Sequence, residues 1–221
     1  MAVYHMYTEG GADRSFLETV LKHLEIPCND SEKKDQNIFT LGGWTQIANP
    51  VKINQIEMAL QDEIPILAIL DADHAEDSEN FGGKDARLAR LKEMLGDLSG
   101  HVKIFLFPDH QSDGDLETLL LRIAQPMHRE VLNCWDAYAR CVTGKVNATT
   151  GESYNTPTLK SKVVEFAAAI DETVWDHQGF NKSFTNPEIW NLESPALEPL
   201  RQFLLQHLGH LIPQIPKSLN L

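Results

Sequence analysis

Cysteine is scarce: Cys28, Cys134 and Cys141 are the only three in 221 residues. An odd count, with no CxxC and no Cys/His zinc spacing, excludes a disulfide framework and a zinc module and points to reduced thiols. Cys134 and Cys141 share a face of a helix, where packing explains them. No apolar run approaches the roughly 20 residues of a membrane-spanning helix. The opening Met1–Tyr7 stretch is too short for a secretory leader and meets Glu9 at once. The expected compartment is cytoplasmic, with no membrane partner. Positive charge is also short, 19 Lys and Arg against 32 Asp and Glu, a net charge of -13. Such a field excludes tight, non-specific attraction to nucleic acid or anionic membrane, while leaving room for a local basic groove or a metal-bridged phosphate contact. Most of the acidity belongs to a solvated surface. No GxxxxGK[ST], HExxH or GxSxG is present, which excludes a P-loop nucleotidase, a zincin and a nucleophile-elbow hydrolase.

What is present is an alternation of strand and helix signals over the first 135 residues. Val3–Thr8 is a β-type run ending at Glu9-Gly10-Gly11, and Asp13 is placed to cap a helix carrying Phe16, Leu17, Val20, Leu21 and Leu24. A polar loop over Asp30 to Gln36 leads to a strand at Asn37–Leu41, closed by Gly42-Gly43. Asn49-Pro50 opens a second helix. Ile64–Leu70 is a third strand, Lys84–Leu95 a third helix and Val102–Phe107 a fourth strand, followed by a helix starting near Asp113 or Asp115. Strands separated by helix-length segments imply βαβ units. Continuously apolar strands imply a parallel sheet of about four strands, covered by helices on both faces.

From about residue 136 the chain reads as a helical and loop extension packed on that domain. Thr143–Thr158 is a loop, Leu159–Ile170 a helix and His177–Asn186 a polar, aromatic loop. Leu197–Leu211 is an amphipathic helix introduced by Ser194-Pro195 as N-cap and first residue. Trp135, Trp175 and Trp190 lack interleaved Lys and Arg and read as packing anchors rather than base-stacking platforms.

The densest chemical signal is Leu70-Asp71-Ala72-Asp73. If the strand stays extended, alternate residues share a side and both carboxylates point into one space. Adjacent anions need a cation or a proton between them, and a hard divalent metal taking oxygen ligands answers that need. Ligands of parallel sheets bind beyond the carboxyl ends of the strands. Glu9, Asp71, Asp73 and Asp109 all fall there. The bland reading of each is a turn or helix-start carboxylate, and for Asp13 helix capping alone suffices. Gly10, Gly42 and Gly43 read as tight turns at the mouth of the site. His74 and His110 flank it and are explained equally well as loop histidines.

The order Tyr7-Thr8-Glu9-Gly10 and then Leu70-Asp71-Ala72-Asp73 resembles the Toprim domain of topoisomerases, primases, ribonuclease M5 and the overcoming-lysogenization-defect nucleases, over roughly residues 1–125. Gly42-Gly43, Phe107-Pro108-Asp109, Gly114-Asp115-Leu116-Glu117 and Trp190…Ser194-Pro195-Ala196-Leu197 extend the resemblance to a bacterial family with a Toprim-like domain. The resemblance implies a Toprim-like Rossmannoid sheet and Mg²⁺ or Mn²⁺ on Asp71 and Asp73. It also implies Glu9 as catalytic acid/base or ligand, with Glu117 or its competitor Asp109 as a second-metal ligand. Gly10, Asp13, Gly42, Gly43 and Lys84 would then meet substrate. The implied activity is a metal-dependent nuclease acting on a phosphodiester, with nucleic acid or a nucleotide as partner. The chain departs from the ribonuclease pattern at Gly11, where relatives place Lys. The loss of that cation favours the alternative, a non-catalytic metal- or nucleotide-binding module or regulatory subunit. Lys84 and Arg87 follow the Asp-x-Asp loop and supply positive charge there, unless they are two ordinary surface cations at a helix start. Receiver and haloacid-dehalogenase patterns fail, because neither has its acids placed as they are here.

Overall fold

Four short, mostly apolar segments pair side by side because their backbone groups must find partners in a ladder. The structure, a computed structural model, describes residues 3–28, 37–174 and 177–213. Strands β1 (His5–Thr8), β2 (Ile38–Thr40), β3 (Ile66–Asp71) and β4 (Val102–Phe107) form one parallel sheet in the order β2-β1-β3-β4. The expected α/β class is observed. The polar loop at Asp30 to Gln36 and Trp175 lie outside the described residues.

The chain divides into two compact units, Met1–Asp115 with Leu197–Leu221, and Leu116–Ala196. In the first, helices α1 (Gly11–His23), α2 (Pro50–Gln61), α3 (Lys84–Leu95) and α8 (Glu198–Leu208) cover the sheet. Alternation along the strands sorts them. Tyr7, Ala68, Leu70 and Leu106 join a core with Ile56 and Ala59 of α2 and Leu91 and Leu95 of α3. On the opposite face Phe107 meets Phe16 of α1, ring centroids 6.2 Å apart, and Phe105 meets Phe203 of α8 at 5.3 Å. The result is a helix–sheet–helix sandwich.

Local chemistry sets the helix ends. Asn49 accepts from the Val51 N–H at 3.0 Å and Pro50 opens α2, as its sequence requires. Asp13 is not the N-cap of α1. Gly10 takes that place, and Asp13, at the third helical position, reaches back to the Gly10 N–H at 3.0 Å. The pair Ser194-Pro195 likewise does not start α8: Pro195–Leu197 forms a 3-10 turn and the helix begins at Glu198.

The second unit holds α4 (Leu116–Ile123), α5 (Arg129–Val142), α6 (Leu159–Ile170) and α7 (His177–Ser183). Phe166, Phe184 and Trp190 pack at its centre, and the Trp190 indole N–H donates to Ser183 Oγ at 3.2 Å. The stretch expected as a loop at His177–Asn186 is corrected, since α7 occupies its first half. Gly179 makes this possible. A Cβ there would stand 2.2 Å from the Thr173 carbonyl oxygen, so the helix approaches its neighbour only because that atom is missing.

Candidate functional site at the carboxyl edge of the sheet

The sheet order fixes where the chain reverses. From β1 the chain runs outward to β2, then returns to place β3 on the other side of β1 and moves away to β4. The gap between the ends of β1 and β3 is therefore the topological switch point, the place where open α/β sheets hold their ligands. Glu9 follows β1 and Asp71 ends β3, so both stand at this gap. Glu9 Oε1 accepts the Asp71 backbone N–H at 3.1 Å. Gly42 and Gly43, both at positive φ (79° and 122°), turn the chain away from β2, and the Gly42 N–H donates to the Glu9 carbonyl at 2.9 Å. The glycines thus wall the Glu9 side of the gap through their backbone.

The extended geometry assumed for Asp-x-Asp ends at Asp71. Ala72 is buried, and Asp73 adopts a left-handed backbone (φ 58°), with its carbonyl accepting from the Gly114 N–H at 2.8 Å. Strand alternation therefore no longer sets the direction of the Asp73 side chain. Its Oδ2 instead receives a hydrogen bond from the Arg87 guanidinium.

Arg87 is the residue the sequence undervalues. It is no surface cation: it is wholly buried on α3. Its Nη1 donates to the Asp71 carbonyl at 3.1 Å and lies 3.6 Å from Glu9 Oε1. Its Nε and Nη2 reach the Phe81 and Asn80 carbonyls, both at 3.3 Å. Its guanidinium carbon is 4.3 Å from the Trp44 ring centroid, a cation–π contact on the desolvated cation. The 72–83 loop is thereby tied to the site by one side chain. An aromatic at residue 44 and the long reach of Arg from the first turn of α3 were the only sequence signals for it.

Burial pushes the Glu9 carboxyl up to about 7, with Asp13 and Asp73 adding like-charge repulsion against the pull of the Asp71 N–H and Arg87. That is the near-neutral range in which a carboxyl both takes and gives a proton.

The other expected site residues take varied places. Asp109 accepts from the Gln111 and Ser112 N–H groups at 2.9 and 2.6 Å and from the Ser112 hydroxyl at 2.8 Å, so it organises its own loop. Lys84 pairs with Asp85 at 2.5 Å, and its N–H caps onto Asp113 Oδ1 at 2.7 Å. Glu117 lies on α4, in the second unit. Among the described residues, no three His, Cys, Asp or Glu side chains converge as a ready-made metal cage. The donor set still suits a small hard cation. Mg²⁺ is ordinarily held by one or two carboxylates and completes its shell with water and substrate phosphate oxygens, and here Glu9 meets Asp71 through the backbone N–H.

Fold and site together define a parallel α/β protein with the Glu9 carboxyl held at its switch point. The chain belongs to the family described as Protein of unknown function (DUF3226), which it matches over residues 4–209. No curated protein and no solved structure matches it. Among the described residues no helix is long and apolar enough to cross a membrane.

Proposed function

We propose that this is a Toprim-like protein acting on a phosphodiester with Mg²⁺ or Mn²⁺, most simply a cytoplasmic nuclease whose partner is nucleic acid or a nucleotide. The observation that carries the reading is the Glu9–Asp71 contact across the switch point. Asp71 would hold the cation, with Glu9 beside it completing the shell through water, and the ion would neutralise phosphate charge and acidify a water. Glu9, with its carboxyl near neutrality, moves a proton between water and the reacting oxygens. Arg87 keeps Asp73 and the 72–83 loop in place and lends positive charge to the switch point, partly answering the missing Lys at Gly11. Gly42 and Gly43 admit substrate close to the backbone.

One observation favours the second reading, a non-catalytic metal- or nucleotide-binding module: Asp73 is already neutralised by a buried arginine. Two measurements separate the readings. Mg²⁺ or Mn²⁺ should raise the melting temperature of the wild type and not of Asp71→Asn. Single- and double-stranded DNA and RNA should be cleaved by the wild type and not by Glu9→Gln. A thermal shift without cleavage of any substrate leaves the module, and no shift at all removes both.

A further inference from the structure

We propose that the outer edge of β4 is a docking site for an extended, acidic peptide segment of a partner protein, which adds to the sheet as a fifth strand. The site lies in the first unit and is independent of the switch-point site. β4 is a terminal strand of the sheet, so one side of its ladder faces outward. The alternation of its backbone groups, inward to β3 or outward, is fixed at the carboxyl end. The Phe107 carbonyl bonds toward β3 through the Ala72 N–H, whereas the Leu106 N–H and carbonyl turn outward and are both taken by His110, at 3.1 and 2.8 Å. The outward set is therefore Val102, Ile104 and Leu106. His110 plugs only the last of them, and no described residue pairs with the outward groups of Val102 and Ile104.

Along this edge runs a groove of about 350 Å³. Leu88 and Lys92 of α3 form one wall, Phe203 and His207 of α8 the other, and Lys103 and Ile104 the floor. An incoming strand would send alternate side chains toward each wall. The lining holds two lysines and two histidines and no carboxylate, in a chain of net charge -13. Desolvation and the Lys103 charge hold His207 below its ordinary range, and desolvation with Lys84 and Lys92, against the opposing pull of Asp109, does the same for His110, so the positive charge of the groove belongs to Lys92 and Lys103. An open edge supplies backbone affinity, and the basic walls select a partner carrying Asp or Glu between apolar residues. A second copy of this chain fits less well. Antiparallel pairing of β4 with itself, centred on the open stretch, sets Lys103 against Lys103, a like-charge pair.

The test uses the full chain and a short fluorescent peptide alternating Glu and Val, with two controls: the same peptide with Lys for Glu, and one N-methylated on alternate amides. Fluorescence anisotropy should show saturable binding of the Glu peptide alone. Lys92→Glu with Lys103→Glu, surface changes that leave the fold intact by circular dichroism, should weaken it at least about tenfold. Ile104→Pro, which removes an outward N–H, should also weaken it. Absence of binding to the wild type, or binding indifferent to the two charge reversals, overturns the proposal. So does sedimentation showing a dimer that Ile104→Pro dissolves, since the edge is then used by a second copy.

Discussion

Arg87 and Asp73 form an ion pair in which the cation is entirely buried while the carboxylate keeps about a third of its surface in water, 0% against 36% exposed. The asymmetry tells which partner depends on the other. Asp73 can be solvated without Arg87, but Arg87 has no water to return to. The guanidinium is held by three carbonyls, those of Asp71, Asn80 and Phe81, and by the Trp44 ring.

Replacing Arg87 by Leu therefore leaves those carbonyls without donors and uncovers Glu9. The expected loss of stability is about 3 kcal/mol or more, since breaking a buried pair by removing one member costs about 3–5 kcal/mol. Arg87→Lys recovers little, because a point ammonium cannot span four acceptors as the planar fork does. Asp73→Asn, which keeps an acceptor for Arg87, should cost less than half as much. Urea denaturation of the three variants measures this, and equal losses for Arg87→Leu and Asp73→Asn would contradict the ordering.

Asp109 offers a second test, because two roles for it make opposite forecasts. As a turn organiser it accepts three hydrogen bonds within 109–112. Asp109→Ala should then lower stability by about 1–2 kcal/mol, in the range for losing a helix or turn cap, and leave any Mg²⁺-induced thermal shift unchanged. Loss of the metal shift with little change in stability would restore it as a ligand.

The sheet was legible because its cause is local. β4 and α3 begin and end where the apolar runs and the glycine at Gly83 place them, and β3 is a continuous apolar run buried on both faces up to Asp71. The carboxyl-edge position of Glu9 and Asp71 follows from the same reading. What escaped depends on atoms brought together from afar. Arg87 reads as one more cation in Lys84–Leu95 until Trp44 and the 72–83 loop close over it. Phe203 returns to the first unit from beyond the second, a contact that chain order does not announce. At α7 the polar composition argues for a loop, and only the close approach at Gly179 shows why a helix fits.

The 72–83 loop should be sensitive at one glycine in particular. A Cβ on Gly82 would lie 2.2 Å from the His74 carbonyl oxygen and 2.9 Å from that of Asp77, both backbone atoms that cannot swing aside. Gly82→Ala must displace the loop that Arg87 pins, at a cost of about 1–3 kcal/mol as for overpacked cores. Its mark is local: amide exchange should speed up through residues 74–82 and not in β1 or β3. Uniform loss of protection across the sheet would mean the loop is not an independent element.

Glu9 supplies the pH dependence, and its sign is unlike that of most carboxylates. An ordinary paired Asp or Glu has a depressed value and stabilises the fold as pH rises. Glu9 is raised from 4.5 to about 7 by burial, so between those values the folded chain keeps a proton that the unfolded chain has released. Stability then falls as pH climbs from about 4.5 to about 7 and is level above, a total on the order of 3 kcal/mol for a shift of this size. Glu9→Gln cannot ionise. The wild type minus variant difference, from urea denaturation at a series of pH values, should therefore decline across this window in favour of the variant. Excess Mg²⁺ should flatten the decline by favouring the ionised carboxylate, so that the cation stabilises the wild type more at pH 8 than at pH 5. A difference curve that is flat without the cation would show Glu9 to be ionised throughout. The proton-transfer role proposed for it would then have no basis.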